Sequence, residues 1–369
     1  MSAGWIGLCT RDGGAFDPAG LGAAQHKPAG DVHVRPDSLL PRGTLLLETR
    51  LSPDGRPETL LGFDKRHPWR ASLTVKVLPG GGFVLVVAQG DDVRHATLPH
   101  HPDGRSDAVR LSYSWDAPAR SGRLTLERPE NDRVVTVPLS NPPPLPLADL
   151  QEMIARPTGR ASNGPVTFFA LSDRVEPVGP MPGMTGRLPV ATPRGLCEVR
   201  ALRRGDTVLS ATAGGAVPVL RAVRRTVPAF GSLRPVRLRA PYFGLRCDVM
   251  VAPEKRLVVG GADVEYLFGC EAVLVPARHL VNGVSALRAT GPLLVTYHDL
   301  LLPAHEPVPC GGGAALESLF IGRIRRRPED LAASILAGAE RAHLPEHAAP
   351  AWPVLRPTEA ITLAETRAA

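Results

Sequence analysis

Four side chains in the second half of the chain have the chemical types that could bind a metal ion. They are His279, His298, His305 and Cys310. Imidazole nitrogen and thiolate sulfur are preferred zinc ligands, and structural zinc sites show short, recurrent ligand spacings. The separations here match none of those spacings. We therefore predict no metal and no cofactor, and expect these imidazoles to hydrogen-bond to the backbone.

A nucleophile is the second chemistry to look for, in GPMPGMTGRLPVATPRGLCEVRALRRGDTVLS, which runs from residue 179 to residue 210. The hydroxyl of Thr185 and the thiol of Cys197 are the candidates. Threonine is a poor nucleophile without a neighbouring base. The five cysteines of the chain are widely spread and form no Cys-x-x-Cys pair. Free buried thiols are the expected state, which suits a reducing compartment.

Acidic residues cluster at two places in the first half. QGDDVRH carries Asp91 and Asp92, and HHPDGRSD carries Asp103 and Asp107. Clustered aspartates beside an exposed aromatic ring could hold calcium and a sugar. Both stretches fit hairpin turns equally well. Glycan binding by the first half therefore stays open, and no pair of catalytic carboxylates can be picked out.

Short β-strands must position most of these groups. In the first half, apolar runs such as WRASLTVKVLPGGGFVLVVAQGDD are cut at short intervals by Gly-rich and Asp-rich turns. That spacing is typical of an antiparallel sandwich. Leu111, Tyr113 and Trp115 fall on one strand face, which predicts a place in the core. We predict a β-sandwich over residues 1–141, and its pattern faintly resembles the concanavalin-like jelly rolls that bind sugars.

Three consecutive prolines, Pro142 to Pro144, interrupt the strand pattern. Proline stiffens spacers, so we predict a linker with one short helix over residues 142–178. Strand signals resume over residues 179–325 and predict a second all-β domain. A helical period in RPEDLAASILAGAERAH predicts the main helix between Pro328 and His343, within a C-terminal segment of residues 326–369. The fold class is therefore mainly β.

The charge of the chain bears on its partners. The net charge of +7 lies after residue 150, because residues 1–150 carry 17 basic and 17 acidic side chains. Only 4 of the 43 basic residues are lysine, and the arginine-rich strands lack interleaved aromatics for base stacking. This pattern argues against nucleic acid. No apolar stretch is long enough to span a membrane and no classical signal peptide is visible, which leaves the cytoplasm or leaderless export open.

Several short motifs in the second half resemble bacterial Hint domains, the hedgehog/intein β-fold, and occur in that family's order. They are ATPRG (Ala191 to Gly195), Gly205 with Asp206, AVLVPARHLVNG (Ala272 to Gly283), TYHDLLLPAHE, and ESLF (Glu317 to Phe320). The resemblance implies a domain that acts on its own backbone. A cysteine thiol attacks the preceding carbonyl, a histidine protonates the departing amide nitrogen, and a hydroxyl holds the scissile bond.

The same resemblance places Gly183 at the thiol slot, Ala252 at the hydroxyl slot, Lys255 at the histidine slot and Asp299 at the closing histidine slot. None of the four carries the required group, and lysine is normally protonated at pH 7. The resemblance therefore implies a degenerate, non-enzymatic Hint domain that binds an unidentified protein or glycan.

Two alternatives remain. One is self-cleavage before residue 183, helped by a nearby group such as Thr185, His298 or His305. The other is glycan binding by the N-terminal sandwich.

Overall fold

The chain folds mostly into short β-strands. The computed structural model describes residues 4–22, 33–50, 57–67, 69–80, 82–100, 108–131, 133–155 and 166–368. Strands make up 44% and helices 17% of these residues, which confirms the mainly β prediction. The chain divides into two compact units. The first comprises Met1–Val178 with Phe230–Ser232, and the second comprises Gly179–Ala229 with Leu233–Ala369.

Thirteen strands and one α-helix lie in the described part of the first unit. They are β1 Trp5–Thr10, β2 Gly13–Phe16, β3 Leu39–Leu40, β4 Arg42–Arg50, β5 Glu58–Lys65, β6 Ala71–Val77, β7 Phe83–Gln89, β8 Asp92–Leu98, β9 Ala108–Asp116, β10 Ser121–Arg128, β11 Arg133–Ser140, β12 Leu145–Pro146, β13 Val166–Ser172 and α1 Leu147–Ala155.

These strands form a sandwich. A seven-stranded antiparallel sheet runs β11-β10-β9-β4-β13-β1-β2, and a four-stranded sheet runs β5-β6-β7-β8. Apolar side chains of both sheets share one core, which includes Tyr113 and Trp115 of β9 and Leu73 and Leu85 of the smaller sheet. Alternation along β9 places its aromatic rings inside, so the sandwich and its aromatic core are confirmed.

The segment expected to be a linker, residues 142–178, contributes β12, α1 and β13 to the first unit in its described parts, residues 142–155 and 166–178. Strand β12 pairs with β3, and β13 lies between β4 and β1 near the middle of the large sheet. The apolar run VTFFALS accounts for this position, because Phe169 and Leu171 are fully buried in the core. The prolines end one strand and lead into the next, so they do not mark a domain boundary.

The described part of the second unit contains fourteen strands and three α-helices. They are β14 Met184–Thr185, β15 Pro189–Thr192, β16 Gly195–Glu198, β17 Thr207–Leu209, β18 Ala216–Pro218, β19 Arg221–Pro228, β20 Val236–Leu238, β21 Val249–Val251, β22 Arg256–Gly260, β23 Ala272–Pro276, β24 Ala286–Arg288, β25 Leu294–Leu301, β26 Pro307–Cys310, β27 Ala314–Glu317, α2 Ala262–Phe268, α3 Pro328–Ala333 and α4 Pro357–Ala368.

Two six-stranded sheets dominate this unit. One runs β19-β25-β14-β21-β20-β24 and the other runs β16-β15-β26-β27-β22-β23, with β17 and β18 forming a separate hairpin. Both sheets contribute to one apolar core. The very short strand β14 is central in the first sheet, where it pairs with β21 on one side and β25 on the other. That position brings three distant segments of the chain together.

The predicted main helix is wrong in its extent. Helix α3 ends at Ala333, residues 341–343 form one 3₁₀ turn, and the longest described helix is α4, with 12 residues. The Ser334 hydroxyl donates to the Leu331 carbonyl and accepts from the Leu336 N–H, so local side-chain bonds replace helical ones. None of the helices in the described part has the length and apolar character to cross a membrane.

Candidate functional site

The candidate site lies where three segments of the second unit meet beside β14. Gly183 immediately precedes this strand. Its carbonyl accepts the N–H of Ala252, which follows β21, at 2.7 Å. Its own N–H donates to Asp299 Oδ2 of β25 at 3.0 Å. Because β14 pairs with both neighbouring strands, residues 116 positions apart in sequence are in direct contact here.

The site contains a buried ion pair. Lys255 Nζ lies 2.6 Å from Asp299 Oδ2, and the two side chains are only 3% and 1% exposed. Burial raises the pKa of the Asp299 carboxyl above its ordinary value, and the Lys255 ammonium partly opposes that rise. The other oxygen of Asp299 accepts the N–H of Leu300 at 3.0 Å. Each buried charge therefore depends on its partner, because an uncompensated charge is strongly unfavourable inside a protein.

The Lys255 side chain fills the space that a side chain at Gly183 would need. A β-carbon built on Gly183 would lie 2.6 Å from Lys255 Cδ and 2.9 Å from Lys255 Cβ. Such distances are too short for carbon atoms, so any larger residue at 183 requires Lys255 to move. Gly183 has no thiol, and the Lys255 side chain occupies the space that one would need.

The turn that carries Lys255 is held by backbone bonds. Lys255 N–H donates to the Ala252 carbonyl at 3.0 Å, and Ala277 N–H donates to the Lys255 carbonyl at 2.9 Å. Ala252 is buried and contributes only a methyl group. The structure thus brings together all four residues that the sequence aligns with functional slots. None of them provides a thiol, a hydroxyl or an imidazole.

The nearby nucleophile candidates are engaged with the backbone. Thr185 Oγ1 donates to the Met250 carbonyl at 2.9 Å. Cys197 belongs to β16 in the other large sheet, opposite Val190, and its sulfur lies 3.7 Å from the Glu198 carbonyl oxygen. The two groups therefore lie on different sheets and do not act as one unit with Lys255.

His298 faces away from the ion pair, as alternation along β25 requires. Its cross-strand partners are Met184 and Arg224, and the ring is half-buried. Burial, together with the charges of Arg224, Arg203 and Arg200, lowers the pKa of His298. The imidazole thus lies in a positive environment on the opposite side of the strand from Asp299.

His305 is buried in the second unit. Its Nδ1 accepts the N–H of Ala351 at 3.0 Å, and its Nε2 lies 3.3 Å from Glu317 Oε2. Arg256 donates to the same carboxylate from both its backbone and its guanidinium, each at 3.2 Å. Burial tends to raise the pKa of Glu317, but the His305 bond and the charges of Arg256 and Lys255 hold it below its ordinary value.

The other potential metal ligands are dispersed. Burial and the neighbouring Arg278 lower the pKa of His279 to about 4, and burial raises the pKa of the Cys310 thiol to about 12. Arg278 Nε donates to His279 Nε2 at 3.2 Å. Within the ranges that the structure describes, no three histidine, cysteine or acidic side chains are grouped as metal ligands would be.

The acidic stretches of the first unit are partly described. Asp91 lies in the turn between β7 and β8, and Asp92 begins β8 and pairs with Arg94 at 2.8 Å. Turn formation therefore explains this pair. Asp103 and Asp107 lie outside the described residues.

Sequence analysis identified no partner for two of the buried carboxylates in particular. One is Asp299, whose pairing with Lys255 joins residues 44 positions apart. The other is Glu48 in the first unit, which accepts the N–H and the hydroxyl of Ser232 at 2.9 Å and 2.5 Å. Burial raises the pKa of Glu48. A single charge inside an apolar run, as in GTLLLETR or TYHDLLL, is the signal that could have flagged both.

Comparisons with known proteins match a family model and several solved structures. Residues 185–323 match the Hint domain family. No curated protein matches the chain in sequence.

Among solved structures, the Ruminococcus gnavus IT-sialidase CBM40 has a TM-score of 0.25 and 11% identity, covering 46% of this chain and 76% of that one. Its complex with alpha2,3 sialyllactose has a TM-score of 0.24 and 14% identity over the same shares. The LG1-3 region of the laminin alpha2 chain has a TM-score of 0.24 and 9% identity, covering 79% of this chain and 55% of that one. These scores are too low to carry a statement about a ligand.

Proposed function

Because residues 185–323 form a Hint domain, we propose that this domain serves as a folded binding module and no longer cleaves its own backbone. One observation carries the proposal. The place of a nucleophile at residue 183 is filled by the Lys255 side chain, whose ammonium is sealed in an ion pair with Asp299. In the proposed role this position carries no reactive thiol and holds three chain segments together.

The hydrogen bonding at Gly183 also opposes cleavage. In a self-cleaving domain the nitrogen of this residue must accept a proton in order to leave. Here that nitrogen donates its hydrogen to Asp299 Oδ2, and the nearest proton donor, Lys255, points at the same oxygen. No group in these contacts delivers a proton to the nitrogen. An attacking thiol would therefore face an unprotonated amide nitrogen, which is a very poor leaving group.

Intact mass in thiol-containing buffer tests the proposal. Dithiothreitol opens any thioester by exchange, so a self-cleaving chain would accumulate two fragments. We expect one species at the full mass of 39.2 kDa after prolonged incubation. A fragment that ends at Pro182 would contradict the proposal and establish self-cleavage as the function.

Glycan binding by the first unit is the second candidate. Its β-sandwich fold is compatible with such a role, although Asp91 and Asp92 are accounted for by a turn and an ion pair. A glycan array that includes sialyllactose tests it on the intact chain. Reproducible binding that competes with the free sugar would assign the binding function to the sandwich, whereas a blank array favours a protein ligand.

A further inference from the structure

Arginine side chains surround His298 on the exposed side of β25. Arg224 lies directly opposite His298 on β19 and is exposed. Arg200 lies in the 3₁₀ turn Val199–Ala201, and Arg203 follows that turn; both are exposed. We call Arg200, Arg203, Arg224 and His298 the basic patch.

Two members of the basic patch lie next to Gly186. Arg200 N–H donates to the Gly186 carbonyl at 3.1 Å. A β-carbon on Gly186 would lie 3.1 Å from His298 Nε2 and 3.3 Å from Arg200 Cβ. The imidazole edge and the Arg200 side chain therefore flank the same glycine. Nη1 of Arg203 donates to the carbonyls of Arg200 and Leu202 at 2.6 Å and 2.9 Å, which fixes its guanidinium beside them.

Negative charge does not balance the basic patch. Glu198 pairs with Arg200 at 2.7 Å, but both side chains are about half exposed, so solvent screens this pair. Asp206 accepts the backbone N–H of Arg203 at 2.8 Å. Among the described residues no carboxylate pairs with the Arg224 guanidinium. Like charges held together repel, and a bound anion would offset that repulsion.

We propose that the basic patch binds an oxyanion, either free phosphate or the phosphate group of a small ligand. Guanidinium groups present parallel N–H donors that match the oxygens of phosphate, and a protonated imidazole adds one more donor. Arg224 lies directly opposite His298 in the strand pair, so the two side chains project on the same side of the sheet. The lowered pKa of His298 is consistent with the positive field that would attract the ligand.

A small anion fits better than a nucleic acid. Stable binding of single strands uses aromatic rings on which bases stack, and the arginine-bearing segments 199–204 and 221–226 contain no aromatic residue. The patch is a local cluster of four side chains, so it suits one anionic group.

Histidine NMR on the full-length protein tests the proposal with inorganic phosphate as the probe. The pKa of His298 is measured with and without phosphate at constant ionic strength, and chloride replaces phosphate in the reference. Because an anion stabilises the protonated ring, we expect phosphate to raise the pKa of His298 in a saturable way. Arg224→Ala should weaken the apparent affinity about tenfold or more.

The matched control is Arg288→Ala. Arg288 is exposed on β24, at the opposite edge of the same sheet, so this variant removes the same charge elsewhere. It should leave the phosphate response unchanged. An unchanged His298 pKa in phosphate, or equal losses in both variants, would overturn the proposal. So would binding of a DNA duplex without any response to phosphate, which would indicate a general polyanion surface. None of these outcomes bears on self-cleavage, which the intact mass reports.

Discussion

Lys255 and Asp299 form a buried ion pair in the second unit, so the loss of either partner should destabilise the fold. Replacing Lys255 by methionine keeps a similar volume but leaves a buried carboxylate without its cation. We expect Lys255→Met to lower the free energy of unfolding by about 3–5 kcal/mol. Urea unfolding at pH 7, followed by circular dichroism, measures this loss.

Two further variants isolate the charge. The double variant Lys255→Met/Asp299→Asn has no unpaired charge, and the side-chain amide oxygen at position 299 can still accept the Gly183 N–H. We therefore expect it to recover much of the lost free energy of unfolding. Lys76→Met on β6 removes an exposed lysine and should change the free energy of unfolding by less than about 0.5 kcal/mol. If Lys255→Met were as stable as the parent, the ion pair between Lys255 and Asp299 would not be formed in solution.

A thiol introduced at residue 183 should not by itself produce cleavage. Gly183→Cys adds a nucleophile, but Lys255 must move to admit it and no proton donor reaches the leaving nitrogen. We expect the variant to stay intact in dithiothreitol, with Gly183→Ala as the matched control for bulk. Groups that act as a unit give non-additive effects.

The smallest combination that we expect to yield detectable cleavage is Gly183→Cys with Lys255→His and Ala252→Thr. Its products would be identified by intact mass. Rapid cleavage of Gly183→Cys alone would mean that the remaining residues still form a working site.

At the scale of elements, strand β13 distinguishes an integrated sandwich from a linker. Phe169 is buried in the core of the first unit. We expect Phe169→Ala to cost about 3–5 kcal/mol, because it leaves a cavity in a central strand. Val175→Ala, at an exposed position six residues later, should cost less than about 0.5 kcal/mol. If Phe169→Ala and Val175→Ala had equally small effects on thermal unfolding, the prediction would be contradicted and residues 142–178 would be better described as a spacer.

Sequence patterns predicted the strand-rich character of both halves correctly and led to a wrong prediction at two places. The alternation of RLSYSWD correctly placed its aromatic rings inside. The helical period after Pro328 was overridden, because Ser334 satisfies backbone groups locally and the apolar residues Leu331 and Leu336 pack into a small core without a continuous helix. The three consecutive prolines also led to a wrong prediction, because a proline cluster occurs at the end of a strand as readily as in a linker.

At the scale of the whole molecule, we expect the contribution of buried histidines to the free energy of unfolding to decrease as the pH is lowered from 6.5 to about 4. Burial lowers the pKa of His347 from 6.5 to about 4, and its ring nitrogens contact the Ile321 N–H and the Leu302 carbonyl. The folded state therefore binds a proton less readily than the unfolded state. This contribution is complete above pH 6.5 and is lost as the pH falls to about 4, by up to about 1.4 kcal/mol per pH unit. His279 acts in the same window.

His347→Gln should reduce that slope, as measured by urea unfolding at several pH values. His343→Gln is the control, because that imidazole is 69% exposed. Glu48 and Asp299 act in the opposite direction, since carboxyls with a raised pKa favour the folded state as the pH falls. Comparing slopes between variants removes this shared background. Identical slopes in the parent and in His347→Gln would contradict the prediction.

The amino-acid pattern determined the mainly β class, the sandwich and its aromatic core, and the resemblance of the motifs identified the Hint domain. The class and the core depend on neighbours in the chain and on the alternation of side chains, which local sequence encodes, and the Hint motifs are short contiguous segments. Tertiary structure decided that Lys255 and Asp299 neutralise one another, that Ser232 satisfies Glu48, and that arginines from separate segments gather around His298. Those contacts depend on strand order across the sheet, and pairing between strands far apart in sequence has no local signature.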